Sequence, residues 1–366
     1  MTTHQTRSAS TSAATASNDA IRLTQFAHGG GCGCKIAPAL LQEILGESIV
    51  KQIVPQLLVG VENSDDAAVY QLNDEQAVVA TTDFFTPIVD DPYDFGRIAA
   101  TNALSDIYAM GAKPLFALAI VGMPINKLAP ATIREILRGG EDVCKAAGIP
   151  IAGGHSIDVP EPIYGLVGIG VVHPKQLKRN DSAVMGDVLI LGKPIGVGVL
   201  SAAIKKAALG EAGYAALIAN TTQLNTPGVE LATLPGVHAL TDVTGFGLLG
   251  HAWEMARGAK AEIAIRFDAL PLLTGVKELA QQGFITGASN RNWDGYGKHM
   301  QLFSGCAPWQ QALLTDPQTS GGLLVACSAQ SVAEVLACFH RHGFAEAAAI
   351  GEVVAGEPCV RVTATA

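Results

Sequence analysis

This 366-residue sequence has few aromatic residues, few basic residues and few cysteines. Aromatic residues make up 5% of the chain, and 24 Lys and Arg stand against 33 Asp and Glu, which gives a formal net charge of −9 at pH 7. The shortage of basic residues argues against a general nucleic-acid-binding protein, which needs a basic surface to displace counterions from phosphates. A polyanionic ligand such as ATP would also be repelled, so we expect it to arrive with metal ions.

Long apolar runs are also missing. No run approaches the 18 or more residues of a membrane-spanning helix, and the first residues lack the apolar core of a secretory signal. The seven cysteines are odd in number and, apart from Cys32 and Cys34, scattered, so they do not suggest a disulfide framework. We therefore expect a cytosolic protein with mostly reduced thiols and with neither a membrane nor a nucleic-acid partner.

What the sequence does have is enough apolar residues for a large core, at 49%, and 40 glycines for tight turns. Residues 1–20, rich in Ser, Thr and Ala, are predicted to form a flexible tail. Residues 21–56 contain a glycine-rich segment. The pattern over residues 57–175 predicts the strand and helix order β-β-α-β-α-β, which is α+β and ferredoxin-like. A polar stretch at 173–187 marks a boundary, and residues 187–366 read as a second α+β domain.

The helix after the first two strands carries two polar residues on one face. It is predicted over Asp94 to Met110, with Asp94 as its N-cap and Gly111 just past its end. Asn102 and Asp106 are four residues apart, so their side chains should project from the same side of the helix.

The glycine-rich segment His28 to Lys35, with the sequence HGGGCGCK, brings two thiols and an ammonium group together in a chain almost free of bulky side chains. Lys35 should lower the pKa of a neighbouring thiol or neutralise a transferring phosphoryl group. Three other interpretations are open on this segment alone: a degenerate P-loop, a zinc ligand pair or disulfide formed by the two cysteines, and a plain flexible hinge.

Aspartates at the ends of strands and helices form a second constellation. They occur next to hydroxyl, amide or glycine residues, at Asp65, Asp66, Asp83, Asp106 and Asp242. Each alone reads as a cap or turn residue. Together they favour Mg²⁺, which prefers hard oxygen ligands and bridges carboxylates to substrate phosphates.

Two glycine-containing stretches complete the candidate site. Gly153-Gly154-His155-Ser156 follows a short apolar strand and offers backbone N–H groups for close approach of a nucleotide. Asp316 to Gly322 is rich in turn residues and reads as structural support near the site.

These motifs, in this order, resemble the selenophosphate synthetase (selenide, water dikinase) family from about Ile21 to the C-terminus. The matching stretches are His28 to Lys35, Asp65 to Tyr70, Thr81 to Phe85, Arg97 to Asp106, Gly153 to Ser156, Thr241 to His251 and Asp316 to Gly322. The Cys-Gly-Cys-Lys stretch is much more specific than the aspartates.

The resemblance implies a fold like that of aminoimidazole ribonucleotide synthetase, with two α+β domains and a first domain that forms a barrel across a homodimer. It implies that ATP, selenide and water give selenophosphate, AMP and orthophosphate, which supplies activated selenium for selenocysteine and selenium-modified tRNA. More than one Mg²⁺ is expected; a need for K⁺ and a selenium-delivery protein are left open.

The resemblance also implies roles for individual residues. Cys32 is the catalytic position, Lys35 is the essential lysine, and Cys34 is expected to have a lesser role. Metal binding is implied for Asp66, Asp83, Asp106 and Asp242. ATP binding is implied for Lys35, Asn63, Ser64, Asp65, Asp83, Asn102, Asp106, Gly154, His155 and Ser156.

The aspartates alone would also fit another ATP-using enzyme of the same superfamily, such as a cyclo-ligase or a thiamine-phosphate kinase. Cys32 and Lys35 argue against that alternative. A non-catalytic thiol or metal-sensing protein that uses Cys32 and Cys34 is the alternative from a different class.

Overall fold

The computed structural model describes residues 22–36, 44, 54–60 and 65–364. The predicted tail at 1–20, much of the segment 21–56, and the predicted nucleotide ligands Asn63 and Ser64 lie outside these ranges. Within them, every helix is too short or too polar to span a lipid bilayer.

The first domain is built on a six-stranded mixed sheet. Its strands are β1 (Leu57–Val59), β2 (Ala68–Gln71), β3 (Ala77–Phe85), β4 (Lys113–Met123), β5 (Ile151–Asp158) and β6 (Ile163–Val172). They lie in the order β1-β2-β3-β6-β4-β5. Only β4 and β5 run parallel, and the hairpin of β2 and β3 closes through Asn73, whose side chain accepts from two backbone N–H groups.

Two helices accompany this sheet, α1 (Pro92–Ala109) and α2 (Pro130–Ala146). From Phe95 onward, every residue of α1 is buried except Arg97 and Asp106, which are partly buried. A helix that is buried on all sides must lie between two layers, and α1 contacts both β6 of its own sheet and the second domain. It therefore carries Asn102 and Asp106 into the space between the domains.

The second domain contains a seven-stranded sheet. Its strands are β7 (Val188–Leu191), β8 (Val237–Asp242), β9 (Glu262–Arg266), β10 (Met300–Gln301), β11 (Leu323–Cys327), β12 (Ala348–Val354) and β13 (Cys359–Thr363). They lie in the order β10-β13-β9-β12-β7-β11-β8.

The helices of this domain are mostly short. They are α3 (Val197–Lys205), α4 (Glu211–Thr221), α5 (Pro227–Leu231), α6 (Gly247–Ala259), α7 (Val276–Gln281), α8 (Gly287–Tyr296), α9 (Pro308–Leu314) and α10 (Val332–Arg341). β8 is the edge strand beside β11, and it ends at Asp242, opposite Leu323. This places Asp242 at the side of the sheet that α1 contacts.

The predicted α+β class is confirmed, with two local corrections. Helix α1 begins at Pro92 rather than after Asp94, because the Asp91 carboxylate accepts from the Asp94 N–H at 2.8 Å and caps the helix. Gly153 to Ser156 form the middle of β5 rather than a stretch that follows a strand, because their backbone pairs with β4.

Candidate functional site

Three carboxylates from three different elements meet between the domains. Asp66 lies just before β2, Asp106 is on α1, and Asp242 ends β8. One oxygen from each lies within 4.8 Å of the others, close enough to share a cation. The structure thus brings together three of the four aspartates that were predicted to bind metal.

Each of the three carboxylates accepts a hydrogen bond from a hydroxyl group. Thr241 donates to Asp66 at 2.9 Å, Thr81 donates to Asp106, and Ser105 donates to Asp242. These bonds fix the orientation of the carboxylates before any ligand arrives, as outer partners do in metal sites.

The electrostatics of the cluster favour a cation. Burial and mutual repulsion with Asp242 and neighbouring carboxylates raise the pKa of Asp66 and of Asp106. Burial likewise raises the pKa of Asp242, although the bond from Ser105 opposes it. The second oxygen of Asp66, Oδ2, is buried and has no hydrogen-bond partner among the described residues. An all-oxygen donor set with an unpaired buried acceptor suits Mg²⁺.

Asp65 and Asp83 lie beside the cluster but are held differently. Asp65 accepts from the backbone N–H groups of Asp66 and Asn180, and burial raises its pKa to about 6. Asp83 accepts from the side-chain amide of Asn102. Both line a pocket of about 280 Å³ together with Asp66, Asp106 and Lys35. The fourth predicted metal ligand, Asp83, therefore shares this pocket without belonging to the three-carboxylate cluster.

Cys32 is almost completely buried, with 2% of its surface exposed. Its thiol donates to Asn102 Oδ1 at 3.2 Å, and its backbone N–H donates to Thr319 Oγ1 at 3.1 Å. Asn102 Oδ1 also accepts from the Ser320 N–H at 2.7 Å. Asn102 therefore connects the thiol to Asp83. It supports Cys32 in addition to its predicted role in binding the nucleotide.

The protonation of Cys32 differs from the sequence-based prediction. Burial, followed by the Asp83 carboxylate, raises the pKa of Cys32. Lys35 lowers this pKa as predicted, but its effect is smaller than those two. In this arrangement the sulfur carries a proton.

Lys35 reaches the carboxylates from the glycine-rich segment. Desolvation works to lower its pKa, yet the carboxylates of Asp83, Asp106 and Asp242 together raise it, so the ammonium group is firmly charged. Its Nζ lies 5.7 Å from the centre of the Phe246 ring.

Two glycines allow the segment to lie this close. Gly31 has a φ of +54°, and a Cβ there would lie 2.3 Å from Thr319 Oγ1. A Cβ on Gly245 would lie 2.8 Å from the Cys32 carbonyl oxygen and 3.0 Å from Lys35 Cδ. Any larger side chain at either position would push the segment away from the aspartates.

Cys34 points elsewhere. Its sulfur lies 3.0 Å from Thr86 Oγ1, and it lines a different cavity from the one that holds the aspartates. This position is compatible with the lesser role that was predicted for it.

The stretch Gly153 to Ser156 is not brought to the carboxylates within one chain. Asp83, Leu166, Ala119 and Gly154 form one row across the sheet. Gly154 is therefore three strand spacings, about 14 Å, from Asp83. Gly154, His155 and Ser156 instead line a separate pocket of about 260 Å³ at the exposed edge.

Three residues support Cys32 through contacts that the sequence did not reveal. Thr319 and Ser320 bond to Cys32 and Asn102, and the buried Lys193 donates to the Ser320 carbonyl at 2.9 Å. The turn-rich stretch Asp316 to Gly322 was the available signal. Its support role was predicted, but its partner was not.

Comparison with known families agrees with this architecture. Residues 64–172 match the AIR synthase related protein N-terminal domain, and residues 185–362 match the corresponding C-terminal domain. Among solved structures, a HypE–HypF complex superposes with a TM-score of 0.66 at 18% identity, over 89% of this chain and 96% of that one. Thiamine-monophosphate kinase from Stenotrophomonas maltophilia K279a gives 0.60 at 20% identity, over 88% and 95%. At such identities the likeness shows the fold alone.

Curated relatives are much more similar. Selenide, water dikinase of Pseudomonas straminea is 67% identical over 342 residues, which covers 93% of this chain and 96% of the relative. The protein of that name from Burkholderia ambifaria (strain MC40-6) is 65% identical over 341 residues, with the same coverage.

Proposed function

This chain belongs to the selenide, water dikinase family, and from that premise we propose that it converts ATP, selenide and water to selenophosphate, AMP and orthophosphate. One observation carries the proposal: the Cys-Gly-Cys-Lys segment, which is the most family-specific motif, lies against the predicted aspartates. Lys35 lines the pocket of Asp66, Asp83 and Asp106, and Cys32 is joined to Asp83 through Asn102.

We assign metal binding to Asp66, Asp106 and Asp242. We assign Asp83 a role in binding both the metal and the nucleotide. Bound Mg²⁺ would neutralise phosphate oxygens and bridge them to the carboxylates. Because both anhydride bonds of ATP are broken, charge develops on two phosphoryl groups, and more than one ion is expected. Thr81, Ser105 and Thr241 keep the carboxylates oriented for this task.

Lys35 and Cys32 then serve the transfer to selenium. The Lys35 ammonium group, charged and close to the carboxylates, stabilises the negative charge that develops on the transferring phosphoryl group. Cys32 positions selenium for attack on the γ-phosphoryl group. Its buried, protonated sulfur is protected from oxidation and, as a thiol, does not repel an incoming anion.

We assign the nucleotide to Asn63, Ser64, Asp65, Asn102 and the stretch Gly154 to Ser156. Because that stretch lies about 14 Å from Asp83 across the sheet, a partner subunit offers the simplest way to bring it to a nucleotide. We therefore propose a homodimer with a shared barrel.

The sheet of the first domain supports this homodimer. Its outer face exposes large apolar side chains, with Tyr70 44%, Phe84 48% and Ile157 54% exposed. Strand β5 is exposed along nearly its whole length. Exposed apolar patches of this kind mark interaction surfaces.

Sedimentation equilibrium tests the homodimer. The wild-type protein should have twice the mass of one chain, and Phe84→Asp should have the mass of a single chain. A wild-type monomer would contradict the homodimer.

The kinase and cyclo-ligase alternatives are not favoured. The likeness to thiamine-monophosphate kinase is one of fold, at 20% identity. The relatives above 60% identity are named selenide, water dikinase. Residence in the cytosol, a requirement for K⁺ and a selenium-delivery protein stay predictions.

The proposal is tested by following ATP with ³¹P NMR under anaerobic conditions, with and without selenide. We expect AMP and selenophosphate to form only when selenide is present, with little product from Cys32→Ser and near-normal rates from Cys34→Ser. ADP as the final nucleotide would contradict the dikinase function. Full activity of Cys32→Ser would contradict the role of that thiol.

A further inference from the structure

A second and larger space adjoins the carboxylate pocket. It is a cavity of about 800 Å³, bounded along one side by Gly29, Gly30 and Gly33 of the glycine-rich segment. Cys34 and Lys35 also line this space, and Lys35 lines the carboxylate pocket as well. We call it the basic cavity.

The charge of the basic cavity is opposite to that of the protein as a whole. Lys35, Lys205, Lys206 and Arg291 line it, and no Asp or Glu does so among the described residues. The chain carries a formal charge of −9. A lining whose fully charged side chains are all cationic, on an acidic protein, concentrates small anions and raises their rate of arrival.

A small space shares lining residues with the basic cavity and has Cys32 in its own lining. It has a volume of about 10 Å³ and is lined by Cys32, Lys35 and Arg291, among others. A space of this size accommodates roughly one water-sized particle. Arg291 and Lys35 border both this small space and the basic cavity, so Cys32 and the cavity share two cationic neighbours.

Hydrogen selenide is a stronger acid than a thiol, so at neutral pH it is a small anion. The carboxylate pocket would repel it, since Asp65, Asp66, Asp83 and Asp106 line that side. We propose that selenide reaches Cys32 from the basic cavity, where Lys205, Lys206 and Arg291 bind it as an anion, while the nucleotide occupies the carboxylate pocket. This inference rests on the proposed function, because it concerns the second substrate of the same site.

Lys206 is the best probe of this proposal. Lys205 donates to the backbone carbonyls of Ala27 and His28, and Arg291 donates to the Gly33 carbonyl at 3.0 Å. Changing either would also release the glycine-rich segment. The Lys206 ammonium group instead lies 5.2 Å from the centre of the Phe284 ring. Its charge can therefore be changed with little effect on the segment.

The experiment measures selenophosphate formation against selenide concentration, anaerobically and at low ionic strength, for wild type, Lys206→Gln and Lys206→Glu. Lys277→Glu, on the exposed surface of α7, is the matched control for Lys206→Glu because both change the net charge by the same amount. We expect KM for selenide to rise about twofold in Lys206→Gln and about fivefold in Lys206→Glu. KM for ATP and kcat should be unchanged, and high salt should remove the difference.

Two results would overturn the basic cavity as the selenide route: equal selenide KM values in Lys206→Glu and Lys277→Glu, or an equal rise in KM for ATP. Failure of the proposed function looks different, since the wild type itself would then make no selenide-dependent product.

A second measurement does not depend on activity. Cys34 can be alkylated with iodoacetate, an anion, or with the neutral iodoacetamide, and the two rates compared by peptide mass analysis. We expect the iodoacetate to iodoacetamide ratio at Cys34 to fall about fivefold in Lys206→Glu relative to Lys277→Glu. An unchanged ratio would show that the cavity does not attract anions.

Discussion

The two spaces that meet at Lys35 differ in how their charged groups are held. In the carboxylate pocket, Asp66 and Asp106 each accept a hydroxyl hydrogen bond, from Thr241 on β8 and from Thr81 on β3. In the basic cavity, Lys205, Lys206 and Arg291 are exposed and long. Coordination of a metal needs fixed oxygens, whereas attraction of a small anion needs only charge. The carboxylate side of the glycine-rich segment therefore requires fixed side-chain positions, whereas the basic side does not.

Asp242→Asn should produce the largest effect, because it removes one of the fixed carboxylates of the cluster. Its carboxylate is 1% exposed and completes the three-carboxylate cluster. We expect kcat to fall about 1,000-fold. Stability of the metal-free protein should not fall in parallel, since one of three repelling charges is removed. Steady-state assays and urea unfolding measure the two, with Asp74→Asn in the exposed hairpin as control. A loss of activity explained wholly by unfolding would contradict this role.

Lys35→Met should come next, because Lys35 borders both spaces. We expect kcat to fall about 100-fold through lost stabilisation of phosphoryl charge. KM for selenide and KM for ATP should both rise, unlike in the Lys206 variants. Full kinetics in both substrates test this, and Lys277→Met serves as the control. A change confined to one substrate would place Lys35 on one side only.

Thr319→Val should have a smaller effect, because it removes one hydrogen bond and little volume. The Thr319 hydroxyl accepts from the Cys32 N–H at 3.1 Å. Loss of a buried hydrogen bond costs about 1 kcal/mol, or about fivefold in kcat. Thr319→Ser keeps the hydroxyl and should restore the rate. If the serine variant lost activity while the valine variant kept it, the methyl contact rather than the hydrogen bond would matter.

Lys193→Met should change stability more than catalysis. Burial lowers the pKa of Lys193 to about 7 from its ordinary 10.5. Above pH 7 the folded protein has released this proton while the unfolded chain still binds it, so wild-type stability should rise between pH 7 and 10.5. Urea unfolding from pH 7 to 9 should show a rise of about 2 kcal/mol that the variant lacks. Parallel pH profiles for the two proteins would contradict a buried, titrating Lys193.

Much of the carboxylate side could be predicted from the sequence. Asp66 and Asp242 adjoin β-strands and Asp106 lies on a clearly patterned helix, so their common type and setting indicated a shared cation. Asn102 was placed on the same helix face as Asp106 by its spacing alone. Its bond to Cys32 depends on packing between segments 70 residues apart, which no local pattern contains.

The basic side could not be predicted. Lys205 and Lys206 are far from Arg291 in sequence, and exposed basic residues at helix ends are ordinary. The protonated state of Cys32 was also missed, because Lys35 is its neighbour in sequence while Asp83 and the buried surroundings are not. The pairing of Gly153 to Ser156 with β4 ran against the usual preference of glycine for turns.

The burial of helix α1 on every side limits how the molecule can move. Its Ser105 hydroxyl donates to Asp242 of the second domain and accepts from the Asn225 amide at 2.7 Å. Near its start, Asp94 accepts from the Tyr214 hydroxyl at 2.7 Å. A hinge motion that parted the domains would break these bonds and expose the helix to water. Because these bonds fasten α1 to the second domain, we expect turnover to proceed without any parting of the two domains.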